Sequence, residues 1–234
     1  MRFPHTCAFR HGVPSAPWWD GRVTSKTDWQ AWHEPYQDPS SALSERLHVV
    51  QRHIEMWLEA TAPRPVTVVS SCAGDGRDLL GVLARRDDGD RITATLLDAD
   101  AGNAERAREQ VNGLGLPHIT VRCTDAGVTD AYAGAVPADL VLLCGIFGNI
   151  ADDDVRRTIA ATPSLCKEAA LVIWTRHRRE PDLTPRIRTW FGEHGFEEVD
   201  FVAPTNRVYS VGVHRFTGNP EPLSSGRRLF TFTR

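Results

Sequence analysis

The stretch V-T-V-V-S-S-C-A-G-D-G-R-D-L-L-G-V-L (residues 66–83) decides the fold class of this chain. It begins with a β-branched run typical of a strand, passes through a short turn of small residues, and ends in an apolar pattern with helical spacing. Gly74 and Gly76 lie in the turn, where a residue without Cβ can adopt a positive φ or let a ligand approach the backbone. Strand, glycine turn and helix in this order bring backbone N–H groups to a ligand at the carboxyl end of the strand.

Length and composition bound the class of protein. The 234 residues fit one domain, or one domain with an N-terminal extension. The composition, with 41% hydrophobic and 24% charged residues, is ordinary for a globular chain. A net charge of −3 gives no large attraction to nucleic acid, and no apolar run reaches the length of about 20 residues that spans a bilayer. The five cysteines are widely spaced and include no C-x-x-C pair, which argues against a disulfide framework. We therefore expect a cytoplasmic protein whose partners are neither nucleic acid nor membrane.

Residues 1–39 contain four of the seven tryptophans, several prolines and no sustained hydrophobic period. This composition predicts an irregular arm that either packs onto the domain or closes over a pocket as an aromatic lid. The lid hypothesis centres on W-Q-A-W-H-E-P-Y, in which His33 lies among the aromatic residues. The candidate lid residues of this segment are Trp29, Trp32 and Tyr36. The domain itself is expected over residues 40–234.

Helix and strand patterns alternate over most of the remaining chain. A helix with one apolar stripe precedes the first strand, and further strand patterns follow near residues 91–97, 118–123, 139–144 and 169–175. Such alternation predicts a parallel sheet with right-handed crossovers and helices on both faces.

The end of the chain breaks this alternation. The strand-like runs 196–203 and 207–216 are joined by three residues, too few for a crossover helix, so they must pair antiparallel. The run 228–233 is a candidate edge strand. The predicted fold is therefore a doubly wound, three-layer α/β/α Rossmann-like domain. Its sheet is seven-stranded and mostly parallel, with an antiparallel strand near the C-terminus, and the aromatic arm and a helix precede it.

Two acidic residues follow neighbouring strands of this predicted sheet. Asp98 comes after the second strand and Asp125 after the third, while the glycine turn follows the first. The carboxyl ends of neighbouring parallel strands share one crevice. Asp98 lies 22 residues beyond Gly76, a spacing at which an acid can accept hydrogen bonds from both hydroxyls of a ribose. The sequence thus predicts a site for a nucleoside-containing cofactor.

Together with the terminal antiparallel pair, this arrangement resembles the class I S-adenosylmethionine (SAM)-dependent methyltransferases over residues 66–216. The glycine turn of that family is an acidic residue followed by G-x-G-x-G. Here Ser70 stands at the acidic position and Cys72 at the first glycine, while Gly74 and Gly76 match the other two. The resemblance implies that the cofactor is SAM and that the product is S-adenosylhomocysteine (SAH).

The resemblance also implies roles for residues at the strand ends. Asp98 matches the ribose-binding acid, Asp125 and the Ala126 backbone match the adenine-binding step, and the end of the fourth strand faces the methyl-bearing sulfur. Backbone carbonyls of Ser71 or Cys144 are expected to hold the methionine amino group in place of the missing acid. The implied cofactor-binding residues are Ser71, Cys72, Gly74, Gly76, Asp98, Ala99, Asp125, Ala126, Cys144 and Gly145.

The implied reaction is an in-line displacement, in which the cofactor carries the reactive group and the protein aligns the acceptor and excludes water. A general base helps to remove the acceptor's proton, and His33 in the arm and His177 after the fifth strand are the candidates. Asn149, which follows the fourth strand, is a third catalytic candidate, and Phe147 in the same loop is a candidate substrate contact. No group of residues has metal-ligand spacing, so no metal is expected.

The acceptor is expected to be small and partly apolar, because no substrate domain is inserted and aromatic residues surround the crevice without a basic face. That favours O- or N-methylation in specialised metabolism. Two other functions stay open: a cofactor-binding module without methyl transfer, and a nicotinamide-dependent oxidoreductase, whose G-x-G-x-x-G would need glycine where Leu79 stands. The arm can close its own pocket or, in a homodimer, that of its neighbour.

Overall fold

The computed structural model describes Asp38 and residues 40–233. The predictions made for Trp29, Trp32, His33 and Tyr36 lie outside the described residues.

Helices and strands alternate along the described chain. The strands are β1 (Val66–Ser71), β2 (Ile92–Asp98), β3 (Ile119–Cys123), β4 (Ala138–Leu143), β5 (Cys166–His177), β6 (Phe196–Val202) and β7 (Tyr209–Phe216). The α-helices are α1 (Ala42–Thr61), α2 (Arg77–Leu83), α3 (Ala101–Gly113), α4 (Asp152–Ala161) and α5 (Thr184–Glu193). No helix of the described part of the chain is both long and apolar enough to cross a membrane.

The seven strands form one sheet in the order β3-β2-β1-β4-β5-β7-β6. The pairs β1–β2, β1–β4, β2–β3 and β4–β5 are parallel, whereas β7 is antiparallel to both β5 and β6. Six strands therefore run in one direction and β7 alone is reversed. This confirms the predicted doubly wound, mostly parallel sheet and its antiparallel strand near the C-terminus.

Each face of the sheet buries its own hydrophobic cluster, because successive strand residues point to opposite faces. Val69 and its neighbours on one face pack with Ile159 of α4 and Phe191 of α5. Val68 and its neighbours on the other face pack with Ile54 of α1 and with side chains of α2 and α3. The result is the predicted three-layer α/β/α arrangement.

Helix α1 forms where the apolar stripe predicts it. Ser41 is its N-cap, and the Ser41 hydroxyl accepts a hydrogen bond from Ser44 N at 3.1 Å. The stripe side chains Val50, Ile54 and Leu58 are buried. Their burial places α1 against α2 and β7, next to the carboxyl edge of the sheet.

Residues 228–233 do not form the predicted edge strand. They make two isolated bridges, Val128 to Arg228 and Ile150 to Phe232. The segment crosses the loops that follow β3 and β4 instead of running along a strand, so a continuous ladder cannot form. It is held because Leu229 and Phe230 are buried in the core. We call residues 226–233 the C-terminal strap.

Candidate cofactor and acceptor site

The turn after β1 has a left-handed backbone at three positions. The φ angles are 52° at Cys72, 59° at Gly74 and 81° at Gly76. For a residue with a Cβ, this conformation costs about 1–2 kcal/mol of free energy. Cys72 therefore adopts a backbone conformation that favours glycine, at the position where the resemblance to the methyltransferase turn predicts one. Two hydrogen bonds hold the turn, from Ala73 N to Leu97 O at 2.8 Å and from Gly76 N to Ala73 O at 2.9 Å.

The glycines around this turn have two different tasks. A Cβ added at Gly74, or at Gly145 after β4, would meet no atom within 4 Å. A Cβ at Gly76 would lie 2.7 Å from Leu80 Cδ1 and 3.0 Å from Leu96 Cδ1. Gly76 therefore lets α2 pack closely, whereas Gly74 and Gly145 border an open cradle of backbone at the ends of β1 and β4. Such a cradle fits a nucleoside cofactor lying across the strand ends.

Asp98 ties this cradle to the next strand. Its Oδ2 accepts a hydrogen bond from Gly74 N at 2.8 Å, and its Oδ1 accepts from Asp100 N at 2.9 Å and from Asn103 Nδ2 at 3.4 Å. Burial raises the pKa of Asp98, while these three bonds oppose the shift. A carboxylate offers about four lone-pair positions, so Asp98 keeps capacity for a further donor. Ala99 next to it is exposed, and its carbonyl accepts from Cys123 Sγ at 3.8 Å.

Asp125 and Ala126 lie at the end of β3, as predicted. Asp125 Oδ1 accepts from Gly127 N at 2.8 Å, and Oδ2 forms an ion pair with Arg228 of the C-terminal strap. The Arg228 pairing was not foreseen from the sequence, because 103 residues separate the two partners. The strap thus contributes directly to the edge of the predicted adenine site.

Tyr132 connects two predicted cofactor residues, although the sequence around it does not indicate this role. Its hydroxyl donates to Ala126 O at 2.9 Å and lies 2.8 Å from Ser71 Oγ. A phenol has one proton, so Ser71 is the donor of the second bond. Burial raises the pKa of Tyr132. Through Tyr132, the Ser71 side chain therefore connects β1 to the loop after β3, and it points into the protein interior.

The charges of Asp78 and Arg46 act in opposite directions on the pKa of Cys144, at the end of β4. The Asp78 carboxylate, in the first turn of α2, is hydrogen-bonded to the Cys144 thiol, and the charge of Arg46 of α1 acts on it. Burial raises the pKa of Asp78, and Arg46 and the Cys144 bond oppose that shift. The pKa values of Cys72 and Cys144 are also raised, mainly by burial, so both are protonated thiols rather than nucleophiles.

A small depression, partly open to solvent, adjoins the cradle at Gly145; we call it the pocket. It is formed by α1, the loop after β4, the end of β5 and the start of β7. Its lining residues are Arg46, Gly145, Gly148, Asn149, Thr175, Arg176, His177 and Tyr209. Two of the three predicted catalytic residues, His177 and Asn149, therefore lie in one pocket. Arg46, Thr175 and Tyr209 were missed, since they lie in elements whose patterns indicate only packing.

Asn149 and Thr175 hold the loop between the cradle and the pocket. Asn149 Nδ2 donates to Gly145 O at 2.8 Å, and Asn149 O accepts from Thr233 N of the strap at 3.0 Å. Gly145 N donates to Thr175 Oγ1 at 2.8 Å. Asn149 thus has a structural task in this turn beside the catalytic role predicted for it.

His177 lies against Gly148, where an added Cβ would come within 3.1 Å of the His177 Cδ2 atom. Its Nδ1 accepts a hydrogen bond from Arg179 N at 3.3 Å. A neutral imidazole that accepts at Nδ1 carries its proton on Nε2. His177 can therefore act as a base only if this ring proton moves and the bond from Arg179 is lost.

The Phe147 ring does not line the pocket, and its predicted contact with the substrate stays a prediction. Its ring is fully buried and packs at centroid distances of 5.9 Å from Trp174 and 6.4 Å from Phe191. The ring points inward because this aromatic cluster under α5 offers it more apolar surface than the pocket does. Only the Phe147 carbonyl is used near the site, as the acceptor of a bond from Arg176.

Among the residues that the structure describes, no group of three or more His, Cys, Asp or Glu side chains is arranged to hold a metal ion.

Neither a scan against protein-family models nor a search of curated proteins found a match for this sequence. Solved structures with a similar fold do exist. An O-methyltransferase family protein from Burkholderia thailandensis is 17% identical with a TM-score of 0.62, over 83% of this chain and 62% of that one. The carbon methyltransferase CurJ is 14% identical with a TM-score of 0.62, over 82% of this chain and 59% of that one. This chain thus spans less than two thirds of either protein.

A third similar structure matches over nearly its whole length. Magnesium protoporphyrin IX methyltransferase from Synechocystis PCC 6803, solved with bound SAM, is 14% identical with a TM-score of 0.60. The alignment covers 82% of this chain and 92% of that one. The strand order, the reversed β7 and these structural matches agree. This chain has the fold of the class I SAM-dependent methyltransferases.

Proposed function

We propose that this protein transfers the methyl group of SAM to an oxygen or nitrogen of a small, partly apolar acceptor, as in specialised metabolism. The observation that carries the proposal is the cradle, in which Cys72 has a left-handed backbone and Gly74 and Gly145 border open space. A cysteine that bears this conformational cost is expected where the shape of the turn serves a ligand. The fold similarity to methyltransferases supports the same function.

The residues around the cradle suit the parts of SAM. Asp98 has acceptor capacity for one ribose hydroxyl, and Asp125 with Ala126 borders the position expected for adenine. Asp78 and Arg46 carry opposite charges beside Cys144 and complement the ammonium and carboxylate of the methionine end. Asp78 thereby takes the place of the acid that is missing at Ser70.

The adjoining pocket is the proposed acceptor site. When bound, SAM supplies an electrophilic methyl group on a sulfonium. The acceptor's lone pair forms the new bond to carbon, the electron pair of the carbon–sulfur bond remains on sulfur, and the acceptor loses its proton to solvent or to His177. The pocket residues align the acceptor with the cradle at Gly145 and limit access of water.

Isothermal titration with SAM, SAH and NAD tests the proposal. We expect micromolar binding of SAM and SAH, no binding of NAD, and a loss of about tenfold or more in the variant Asp98→Asn, which keeps the shape of the side chain and removes its charge. Asp153→Asn in the first turn of α4 is the matched control and is expected to bind normally. No binding of SAM or SAH would refute the proposal. Binding of NAD instead would indicate an oxidoreductase, and SAH binding without turnover of any acceptor would indicate a binding module.

A further inference from the structure

Arg176 is an unusually buried cation at the wall of the acceptor pocket. Only 8% of its side chain is exposed. Its Nη1 donates to Phe147 O, while its Nε is buried and has no hydrogen-bond partner among the described residues. A guanidinium has five N–H donors, and a buried donor without an acceptor costs free energy. Arg176 is therefore incompletely satisfied by the protein itself.

The negative charges near Arg176 compensate it only weakly. Asp152 Oδ1 lies 3.4 Å from Arg176 Nη2, but 52% of the Asp152 side chain is exposed, and Asp182 acts on Arg176 through its charge alone. Of the eight described residues that line the pocket, none is acidic, and Arg46 adds a second guanidinium. Burial lowers the pKa of Arg176, and the two aspartates oppose that shift. The pocket thus has a positive character that the overall charge of −3 does not reveal.

We infer that the acceptor carries a carboxylate, which Arg176 binds in the pocket beside His177. The inference rests on the proposed function, since it names the chemical class of its acceptor. A planar carboxylate matches the fork of a guanidinium and accepts two of its N–H groups. A carboxylate is favoured over phosphate, because Asp152 and Asp182 already oppose part of the charge of Arg176.

Arg178, two residues further along the chain, does not lie at the pocket. Arg178 Nη1 donates to Ala203 O at 2.9 Å, and Arg178 Nε lies 3.7 Å from Asp182. Arg178 is not among the residues that line the pocket. It therefore holds the loop between β6 and β7 and provides a matched control for Arg176, with the same charge two residues away.

Matched pairs of an anion and its neutral amide test the inference. Acetate and acetamide, benzoate and benzamide, and inorganic phosphate are titrated into the protein with and without saturating SAH, up to about 10 mM, the range of a weak complex. We expect at least one carboxylate to bind about tenfold or more tightly than its amide, and phosphate to bind no better than the carboxylate. This preference is expected to disappear in Arg176→Gln and to persist in Arg178→Gln.

The readout separates a charge effect from collapse of the pocket. A collapsed pocket would lose carboxylate and amide alike, whereas loss of the charge removes only the difference between them. If Arg176→Gln fails to fold, Arg176→Lys keeps the charge but lacks the planar fork, so it is expected to keep only part of the preference, and an unreduced preference in Arg176→Lys would count against binding by the fork. Equal binding of both members of every pair, no binding of any carboxylate, or a preference retained in Arg176→Gln would each overturn the inference. Failure of SAH to bind would instead count against the proposed function, because the pairs are also measured without SAH.

Discussion

Stability below neutral pH should be limited by one buried histidine, His214 of β7. Its side chain is 1% exposed, and its Nδ1 accepts from Trp174 Nε1 at 3.1 Å. Its Nε2 has no hydrogen-bond partner in the described chain, since Glu198 Oε2 lies 3.8 Å away. The ring also stacks on Phe191 at a centroid distance of 4.5 Å. Such surroundings admit the neutral imidazole and penalise the charged one.

Burial lowers the pKa of His214 to about 4 from its usual 6.5, and Glu198 only partly opposes the shift. The unfolded chain therefore binds a proton between pH 6.5 and 4 that the folded chain does not, so stability falls as pH falls through this window. Above pH 6.5 the effect is absent. Linkage gives a loss of about 2 kcal/mol between pH 7 and pH 5, and about 3 kcal/mol once pH is below 4.

Urea denaturation at pH 7 and pH 5 measures this loss. In His214→Gln the amide oxygen can still accept from Trp174, but the group no longer titrates. We expect this variant to lose about 2 kcal/mol less than the wild type between the two pH values. His53→Gln is the comparison variant: burial also lowers the pKa of His53, but Asp200 lies 3.3 Å from its Nε2 and opposes the shift, so this variant should reduce the pH dependence less than His214→Gln does. An equal pH dependence of wild type and His214→Gln would refute the reasoning.

Three substitutions test the cradle. Gly76→Ala should lower the free energy of unfolding by about 2 kcal/mol or more, because its Cβ would meet Leu80 at 2.7 Å and its φ is positive; a melting temperature equal to wild type would contradict this. Gly74→Ala should cost only about 1 kcal/mol in the same melting assay but weaken SAH binding strongly, because its Cβ projects into the open cradle; unchanged SAH affinity would show that the ligand lies elsewhere. Tyr132→Phe should lower the free energy of unfolding by about 1–2 kcal/mol and reduce SAH affinity, because Ser71 and Ala126 lose their common hydrogen-bond partner. The melting assay and SAH titration measure the two effects, and wild-type values in both would contradict this role of Tyr132.

The fold was predictable because its signals are local. The periods of strands and helices appear within each segment, and the three residues between the last two runs exclude a crossover. The position of Asp98 beside the glycine turn follows from the same logic, because parallel neighbours bring their carboxyl ends together. The prediction for 228–233 was wrong, since an apolar run of that length does not tell whether it will find a strand edge or cross loops.

The direction of individual side chains was less predictable. Phe147 and Asn149 lie two positions apart in one loop, yet Phe147 turns into the aromatic cluster and Asn149 lines the pocket. Arg176 and Arg178 look equivalent in T-R-H-R-R, but Arg176 is buried beside the pocket and Arg178 holds a distant loop. The direction of such a side chain depends on the groups that other helices, strands and loops place next to it.

The layers, the strand directions and the acidic residues at the strand ends could be read from the sequence, because periodicity, loop length and turn chemistry act between near neighbours in the chain. Three contacts appear only in the folded molecule: Tyr132 joins Ser71 to Ala126, Arg228 pairs with Asp125, and Arg176 is buried at the pocket with a partly exposed Asp152 as its ion-pair partner. These contacts join residues far apart in sequence, and their energies depend on burial, which exists only after the layers have packed.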